Sequence, residues 1–64
     1  MPRLPRLRDV RERFAVTQQE LASKSGVAKS TIIDIELGRT QARIPTVRKL
    51  AEALGVEPAA LIEE

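Results

Sequence analysis

The sequence predicts an all-α domain of five short helices, and three observations lead to this prediction. Apolar residues recur three and four positions apart along most of the chain, which is the spacing of one helix face. Glycines at 26, 38 and 55 and prolines at 45 and 58 interrupt that spacing, which keeps most of the predicted helices to a few turns. Strand signals are absent, because helical spacing flanks the β-branched pair Ile32 and Ile33 on both sides.

Length and composition exclude several classes of function. The 64 residues suffice for one domain, spanning 1–64, in which hydrophobic burial only narrowly exceeds the conformational entropy lost on folding. The chain contains no cysteine and no histidine, so the usual metal ligands and the usual general base are missing. Ser30 and Thr31 therefore have no histidine to activate them as nucleophiles. We predict no metal site, no cofactor and no enzymatic activity.

Charge is distributed unevenly along the chain, whose net charge is +2. Residues 1–16 carry five arginines against two acidic side chains, residues 17–43 carry a net charge of +1, and residues 44–64 carry −2. This gradient suits a chain whose N-terminal two thirds meet a polyanion, although solvated surface charge accounts for it equally well. No apolar run approaches the length of a membrane span and nothing resembles a signal peptide, so we predict a cytoplasmic location.

The N-terminal part of the chain predicts an arm and one helix. Residues 1–5 contain two prolines and no helical period, so we expect an extended basic arm. From Arg6 to Phe14 the apolar positions Leu7, Val10 and Phe14 lie three and four residues apart, as on one side of a short amphipathic helix. Phe14 is the only aromatic residue, and an aromatic residue at this spacing is expected in the core.

The strongest local signals lie between Thr17 and Val27. Thr17 followed by Glu20 predicts a capping box, in which the hydroxyl and the carboxylate each accept a hydrogen bond from a backbone amide at a helix start. The second helix is predicted over 18–25. It ends at Gly26, where the chain needs a positive φ that glycine adopts at little cost, and Val27 follows as a buried contact.

A third helix is predicted to follow at once. Ile32 and Ile35 lie three apart on its inward side, and Gly38 is a suitable residue to end it. Its outward side mixes polar and apolar residues, namely Lys29, Ser30, Ile33 and Asp34. Because an outward side is usually polar throughout, this mixture indicates that the outward side of the third helix has a function.

The remainder of the chain predicts a loop and two more helices. The loop covers 39–44, and a fourth helix, opened by a proline and ended by a glycine, covers 45–54. Pro58 begins a last helical turn whose apolar residues are Leu61 and Ile62. The inward positions together predict a core of Leu7, Val10, Phe14, Leu21, Ala22, Val27, Ile32, Ile35, Val47, Leu50, Leu54 and Leu61.

The stretch from Gln18 to Leu37 resembles the DNA-binding unit of the phage-repressor-like (lambda-repressor-like, XRE-type) helix-turn-helix family of transcriptional regulators. The likeness extends from about Leu7 to Leu61 and includes the similarly placed KLAEALGV at 49–56. Nine positions stand where the family pattern has them: Gln18, Leu21, Ala22, Gly26, Val27, Ile32, Ile35, Glu36 and Gly38. The resemblance implies a compact five-helix domain that binds double-stranded DNA, with the third helix in the major groove.

The resemblance places the base-reading residues on the outward side, near the start of the third helix. They are Ala28, Lys29, Ser30, Ile33 and Asp34. Lys29 would donate to guanine or neutralise a phosphate, and Ser30 would contact a base or a phosphate or cap the helix. Asp34 would accept from cytosine N4 or remain a solvated bystander, and Ile33 would touch thymine methyl groups or pack loosely.

Phosphate contacts that position the domain are expected from residues around the third helix. These are Gln18, Thr31, Arg39 and Arg43. Arg3, Arg6 and Arg8 would extend along DNA as an arm or form a free basic tail.

Arg11 and Glu36 match a pair that joins the first helix to the third in related domains. We expect a bidentate, partly buried ion pair that fixes the third helix on the scaffold. Three positions depart from the family pattern: Ala15 replaces a glycine of the turn, Ala28 replaces a serine or threonine cap, and Leu37 replaces an asparagine that contacts phosphate.

The family implies a sequence-specific regulator, a repressor in our prediction, acting in the nucleoid as a homodimer on a palindromic operator. One such domain makes few base contacts, and two half-sites about one helical turn apart nearly double the binding energy. The predicted interface is the apolar group of Pro58, Leu61 and Ile62, whose alternative role is to close the core. The alternative function is a protein-interaction module, such as an antitoxin or adaptor that binds a toxin or effector.

Overall fold

Five α-helices form the fold in a computed structural model that describes residues 3–62. They are α1 Leu7–Arg13, α2 Gln18–Ser25, α3 Lys29–Glu36, α4 Ile44–Leu54 and α5 Ala59–Ile62, and no strand occurs in this part of the chain. The predicted all-α fold with five helices is confirmed, and α2 has the predicted bounds. The longest helix, α4, has 11 residues, and none of the helices over 3–62 has the length and apolar character that a membrane span requires.

The helices pack so that α2 contacts both α3 and α4, while α1 and α4 both contact α5. The beginning and end of the described chain also meet, because the Arg6 amide donates to the Leu61 carbonyl at 3.2 Å. The buried apolar side chains are Leu4, Leu7, Val10, Leu21, Val27, Ile32, Ile35, Ala42, Val47, Leu50, Ala51, Leu54 and Leu61. Every predicted core residue except Phe14 and Ala22 is among them, and Ala22 is half-buried against this core.

Phe14 does not lie in the core, and the prediction that placed it there is wrong. The residue is 54% exposed. The helix ends at Arg13, and Phe14 is its C-cap residue with φ −93° and ψ 8°, so helical spacing no longer sets the direction of its side chain. Arg11 occupies an inward position on α1 instead and is 8% exposed, because Glu36 pairs with its charge.

The extended arm predicted over 1–5 is also corrected at Leu4. This residue is 3% exposed and belongs to the core, and its carbonyl accepts a hydrogen bond from the Leu7 amide at 3.2 Å. Burial of a leucine contributes about 1.5–3 kcal/mol, which offsets the ordering of one or two residues at roughly 1–2 kcal/mol each. Arg3 and Pro5 are exposed on either side, and Met1 and Pro2 lie outside the described residues.

Ala15 turns the chain between α1 and α2 with a φ of +54°, in the left-handed region. The turn is held by hydrogen bonds from the Ala15 amide to the Glu12 carbonyl at 3.0 Å and from the Val16 amide to the Arg11 carbonyl at 3.1 Å. An L residue in this region costs roughly 1–2 kcal/mol that glycine avoids. The turn therefore carries backbone strain at Ala15.

The variant Ala15→Gly is expected to raise the free energy of unfolding by about 0.5–1 kcal/mol. Glycine makes the unfolded chain more flexible, which lowers the free energy of unfolding by roughly 0.4–1 kcal/mol, and the relief of strain in the folded chain exceeds this cost. Thermal unfolding followed by circular dichroism should show a Tm higher by several degrees. Ala53→Gly inside α4 serves as the control and should lower the Tm. A lower Tm for Ala15→Gly would contradict the account of this turn.

Candidate nucleic-acid interface

The helix that opens the helix-turn-helix unit, α2, begins with the predicted capping box. The Glu20 amide donates to Thr17 Oγ1 at 3.0 Å, and the Thr17 amide donates to Glu20 Oε1 at 2.9 Å. Both bonds satisfy amides that a helix start otherwise leaves without a partner. The bond from the Thr17 amide also lowers the pKa of the Glu20 carboxyl, since it stabilises the ionised form.

Stability should therefore depend on pH through Glu20. Its pKa is lower in the folded chain than in the unfolded chain, so its ionisation stabilises the fold above the ordinary value of 4.5. That contribution is lost as the pH falls through the lowered pKa. Glutamine keeps a hydrogen-bond acceptor but does not titrate, so wild type should be more stable than Glu20→Gln at neutral pH, and the difference should vanish in acid. Urea unfolding of both proteins at neutral and at acidic pH measures the difference in their free energies of unfolding. A difference that persists in acid would refute the role of Glu20 ionisation.

The turn between α2 and α3 follows the predicted pattern. Gly26 has a φ of +75°, and its amide donates to the Ala22 carbonyl at 2.9 Å. Val27 is 9% exposed and its amide donates to Ser25 Oγ at 3.1 Å. Ala28 is the N-cap of α3 and makes no side-chain capping bond. The turn thus anchors α3 through the buried Val27 and leaves its first amides uncapped by side chains.

The outward side of α3 is the surface that the resemblance assigns to base reading. Of the five residues predicted there, Ala28, Lys29 and Ser30 are exposed, and Ile33 and Asp34 are half-buried. Lys29 forms no ion pair with any residue over 3–62, so its ammonium group is available to an acceptor. The opposite side is held in the core by Ile32 and Ile35, which are 0% and 4% exposed. An α-helix is about 10–12 Å across and the major groove is about 12 Å wide, so a helix exposed on one side fits into the groove.

A bidentate ion pair between Arg11 and Glu36 joins α1 to the end of α3. Arg11 Nε donates to Glu36 Oε2 at 2.7 Å and Arg11 Nη2 donates to Glu36 Oε1 at 3.0 Å. The third nitrogen, Nη1, donates to the Val16 carbonyl at 2.9 Å. The two side chains are 10% and 4% exposed, and the hydrogen bond to Glu36 raises the pKa of Arg11 above its usual value. The arginine thereby holds together α1, the following turn and α3.

Gln18, predicted to contact phosphate, makes a side-chain bond inside the protein. Its Nε2 donates to Glu36 Oε1 at 3.0 Å, so Glu36 receives both Gln18 and Arg11. The backbone amide of Gln18 lies in the first turn of α2, among the amides that a helix start points outward. Thr31, the other predicted phosphate contact on this side, is half-buried on α3.

A cleft of about 350 Å³ lies between α1, the start of α2 and α3. Its lining residues are Arg8, Arg11, Thr17, Gln18, Ile33, Glu36 and Leu37. Sequence reasoning did not place Arg8 or Leu37 beside Gln18. Helical spacing contained the signal, because Leu37 follows Ile33 by four residues and Arg8 precedes Arg11 by three. Leu37 is 58% exposed and gives this surface an apolar edge.

The remaining predicted phosphate contacts follow α3. Arg39 is exposed, and its Nη1 lies 3.7 Å from Asp34 Oδ1. Arg43 is exposed as the N-cap of α4 and has no ion-pair partner in the described part of the chain. Arg6 and Arg8, predicted as arm residues, instead lie at the start of α1 and pair with Asp9 at 3.4 Å and with a glutamate at 3.5 Å.

The apolar group predicted as a dimer interface is divided by the structure. Leu61 is 0% exposed and closes the core of its own chain, which corrects its assignment as an exposed interface residue. The Arg6 amide bonds to its carbonyl and fixes it there. Ile62 is 36% exposed and Pro58 is half-buried, so these two retain accessible surface.

Acidic side chains do not gather into a metal-binding group over 3–62. No three of the histidine, cysteine, aspartate or glutamate residues in that range lie close enough to hold an ion.

Curated relatives share the sequence pattern. The chain is 39% identical over 51 residues to an HTH-type transcriptional regulator of Methanothermobacter thermautotrophicus, covering 80% of this chain and 74% of that one. It is 32% identical to the immunity repressor of Bacillus phage phi105 and 36% identical to the cryptic phage CTXphi transcriptional repressor RstR of Vibrio cholerae. Both matches cover 92% of this chain, which spans 41% of the length of the first repressor and 53% of the second.

A solved structure shares the fold. It is the restriction-modification controller protein C.AhdI from Aeromonas hydrophila, with a TM-score of 0.84 and 36% sequence identity. The match covers 88% of this chain and 85% of that one. A helix-turn-helix family model matches residues 7–61, the range over which the sequence resemblance was found. The chain belongs to the phage-repressor-like helix-turn-helix family of DNA-binding transcriptional regulators.

Proposed function

We propose that this chain binds double-stranded DNA sequence-specifically and represses transcription, with α3 in the major groove of a palindromic operator. The observation that carries the proposal is the exposed start of α3. Ala28, Lys29 and Ser30 are accessible there, while Ile32 and Ile35 anchor the same helix in the core. Only the major groove presents a distinct donor and acceptor pattern for each base pair. A helix with one buried side and one polar accessible side is suited to read that pattern.

Base reading is assigned to Ala28, Lys29, Ser30, Ile33 and Asp34. Phosphate positioning is assigned to Gln18, Thr31, Arg39 and Arg43. Gln18 would contact phosphate through its outward backbone amide and through the Nε2 hydrogen that Glu36 does not accept. Arg43 would donate to a phosphate beside the start of α4. Such contacts set the register of the protein on DNA without carrying sequence information.

The proposed active species is a homodimer, acting in the nucleoid. A single α3 reaches only a few base pairs, whereas two copies on a two-fold symmetric site double the contacts. Ile62 and Pro58 supply the accessible apolar surface on α5 and its approach, and Leu61 supports them from the core.

The salt dependence of binding tests the proposal against its alternative. Fluorescence anisotropy with a labelled duplex should show log Kd rising linearly with log salt concentration, by about 0.9 per phosphate neutralised. A matched polyanion without a groove, such as heparin, controls for charge alone. Tight binding to the duplex with no salt dependence would contradict a contact made through phosphates.

A protein-interaction module is the second candidate, and one observation favours it. Phe14, Leu37 and Ile44 are large apolar residues exposed by 54%, 58% and 48%. Exposed apolar residues of this kind, where they form a contiguous patch, mark a site for a protein partner. Absence of duplex binding at low salt would favour this candidate over the regulator.

A further inference from the structure

The end of α3 brings Asp34 and Arg39 together through its backbone. The Arg39 amide donates to the Asp34 carbonyl at 2.9 Å, and the Gly38 amide donates to the Ile35 carbonyl at 3.1 Å. With Gly38 at a φ of +75°, these are the two hydrogen bonds of a Schellman motif. The motif fixes the position of Arg39 relative to the last turns of α3, and hence relative to the side chain of Asp34.

The side chains of the two residues also meet. Arg39 Nη1 lies 3.7 Å from Asp34 Oδ1, and the side chains are 70% and 45% exposed. One guanidinium nitrogen faces one carboxylate oxygen, so Nε and Nη2 of the arginine and Oδ2 of the aspartate keep their hydrogen-bonding capacity. The pair can therefore bind two further groups at once, an anion at the arginine and a donor at the aspartate.

Asp34 is the one acidic residue among those assigned to base reading. A carboxylate without a partner on a surface that meets DNA repels phosphate. Beside Arg39 the local charge of the two residues is zero, which removes that repulsion. Guanidinium binds phosphate through its planar donors, and a carboxylate accepts from the N4 amino group of cytosine.

We propose, resting on the proposed function, that Asp34 determines specificity by accepting a hydrogen bond from cytosine N4 in each half-site, and that Arg39 enables this contact. Arg39 neutralises Asp34 and binds the neighbouring phosphate. The two residues thus act as a coupled unit on one end of α3, with the Schellman motif setting their separation. Arg39 is a positioning residue in this unit, and Asp34 is the residue that touches the base.

The test uses Asp34→Ala, Asp34→Asn, Arg39→Ala and the double variant Asp34→Ala/Arg39→Ala in the intact chain. Each is measured against the duplex that wild type selects from random DNA and against the same duplex with each cytosine position replaced in turn. Exposed ion pairs contribute little to stability, so all four variants should keep the wild-type Tm. Arg13→Ala serves as the matched control, since Arg13 pairs with Asp9 at 3.5 Å and at similar exposure on α1.

Each variant has its own expected result. Asp34→Ala should reduce the discrimination at one cytosine position by about tenfold. Asp34→Asn should shift that preference towards adenine, the base whose edge pairs with an asparagine amide. Arg39→Ala should weaken binding to every duplex, and the double variant should bind the replaced duplexes more tightly than Arg39→Ala does, because the unneutralised carboxylate is gone. Arg13→Ala should change neither affinity nor preference.

Failure of this inference can be told from failure of the proposed function. If wild type selects a sequence and Asp34→Ala keeps every base preference, the cytosine contact is overturned and the DNA-binding function stands. If the double variant binds no more tightly than Arg39→Ala, the neutralising role of Arg39 is overturned. If wild type selects no sequence, the proposed function and this inference fall together.

Discussion

Replacing Arg11 with alanine is expected to unfold the domain before DNA binding can be compared. The substitution leaves Glu36, whose side chain is 4% exposed, with Gln18 as its remaining partner in this network. Removing one partner of a buried ion pair lowers the free energy of unfolding by about 3–5 kcal/mol, because the other charge stays buried. At roughly 0.05–0.15 kcal/mol per residue, a chain of 64 residues has about 3–10 kcal/mol of stability in total. The loss is therefore comparable with the whole stability of the fold.

Thermal and urea unfolding of Arg11→Ala measure this loss, with two variants to identify its cause. Arg13→Ala removes an exposed arginine from the same helix and should change stability by less than about 0.5 kcal/mol. Arg11→Met combined with Glu36→Leu removes both charges and keeps apolar volume, so it should recover most of the stability. A wild-type Tm for Arg11→Ala would show that the ion pair does not hold α1 to α3.

Replacing Lys29 with alanine is expected to weaken specific DNA binding by about 1–3 kcal/mol with no loss of stability. Lys29 is exposed at the start of α3 and has no ion-pair partner over residues 3–62, so the fold does not depend on its charge. If it contacts a guanine, the preference at one position relaxes. If it neutralises a phosphate, affinity falls equally for all sequences and the salt slope decreases by about 1.

Lys49→Ala is the matched control for that variant. It removes the same charge from the exposed side of α4, outside the helix-turn-helix unit. Titration of both variants against the selected duplex and a scrambled duplex separates a specific contact from an effect of net charge. Equal losses for Lys29→Ala and Lys49→Ala would contradict the placement of Lys29 in the groove.

Local signals made the helix-turn-helix unit predictable from sequence. The capping box of Thr17 and Glu20 and the left-handed turn at Gly26 depend on residues at most four positions apart, so neighbouring residues determine them. The inward positions of α3 follow equally from spacing. The ends of α2, α3 and α4 were predicted to within one or two residues because glycine follows each of them.

Features that depend on the meeting of distant segments were not predictable in the same way. Phe14 has the spacing of a core residue but follows the last residue of α1, and Leu4 looks like part of an arm until the fold brings it into the core. The bond from Gln18 to Glu36 likewise requires the packed arrangement of α2 and α3. Resemblance to the family supplied the pair of Arg11 and Glu36, which spacing alone did not.

The central claim is that α3 reads DNA sequence, and selection of bound duplexes from a random pool tests it most directly. At moderate salt the account predicts enrichment of a two-fold symmetric site, with two half-sites about one helical turn apart. If Lys29 reads a base, as assigned above, the same selection with Lys29→Ala loses or changes the preference at one position within each half-site. A wild-type pool that shows no enrichment over the starting pool would contradict the account and favour a protein partner instead.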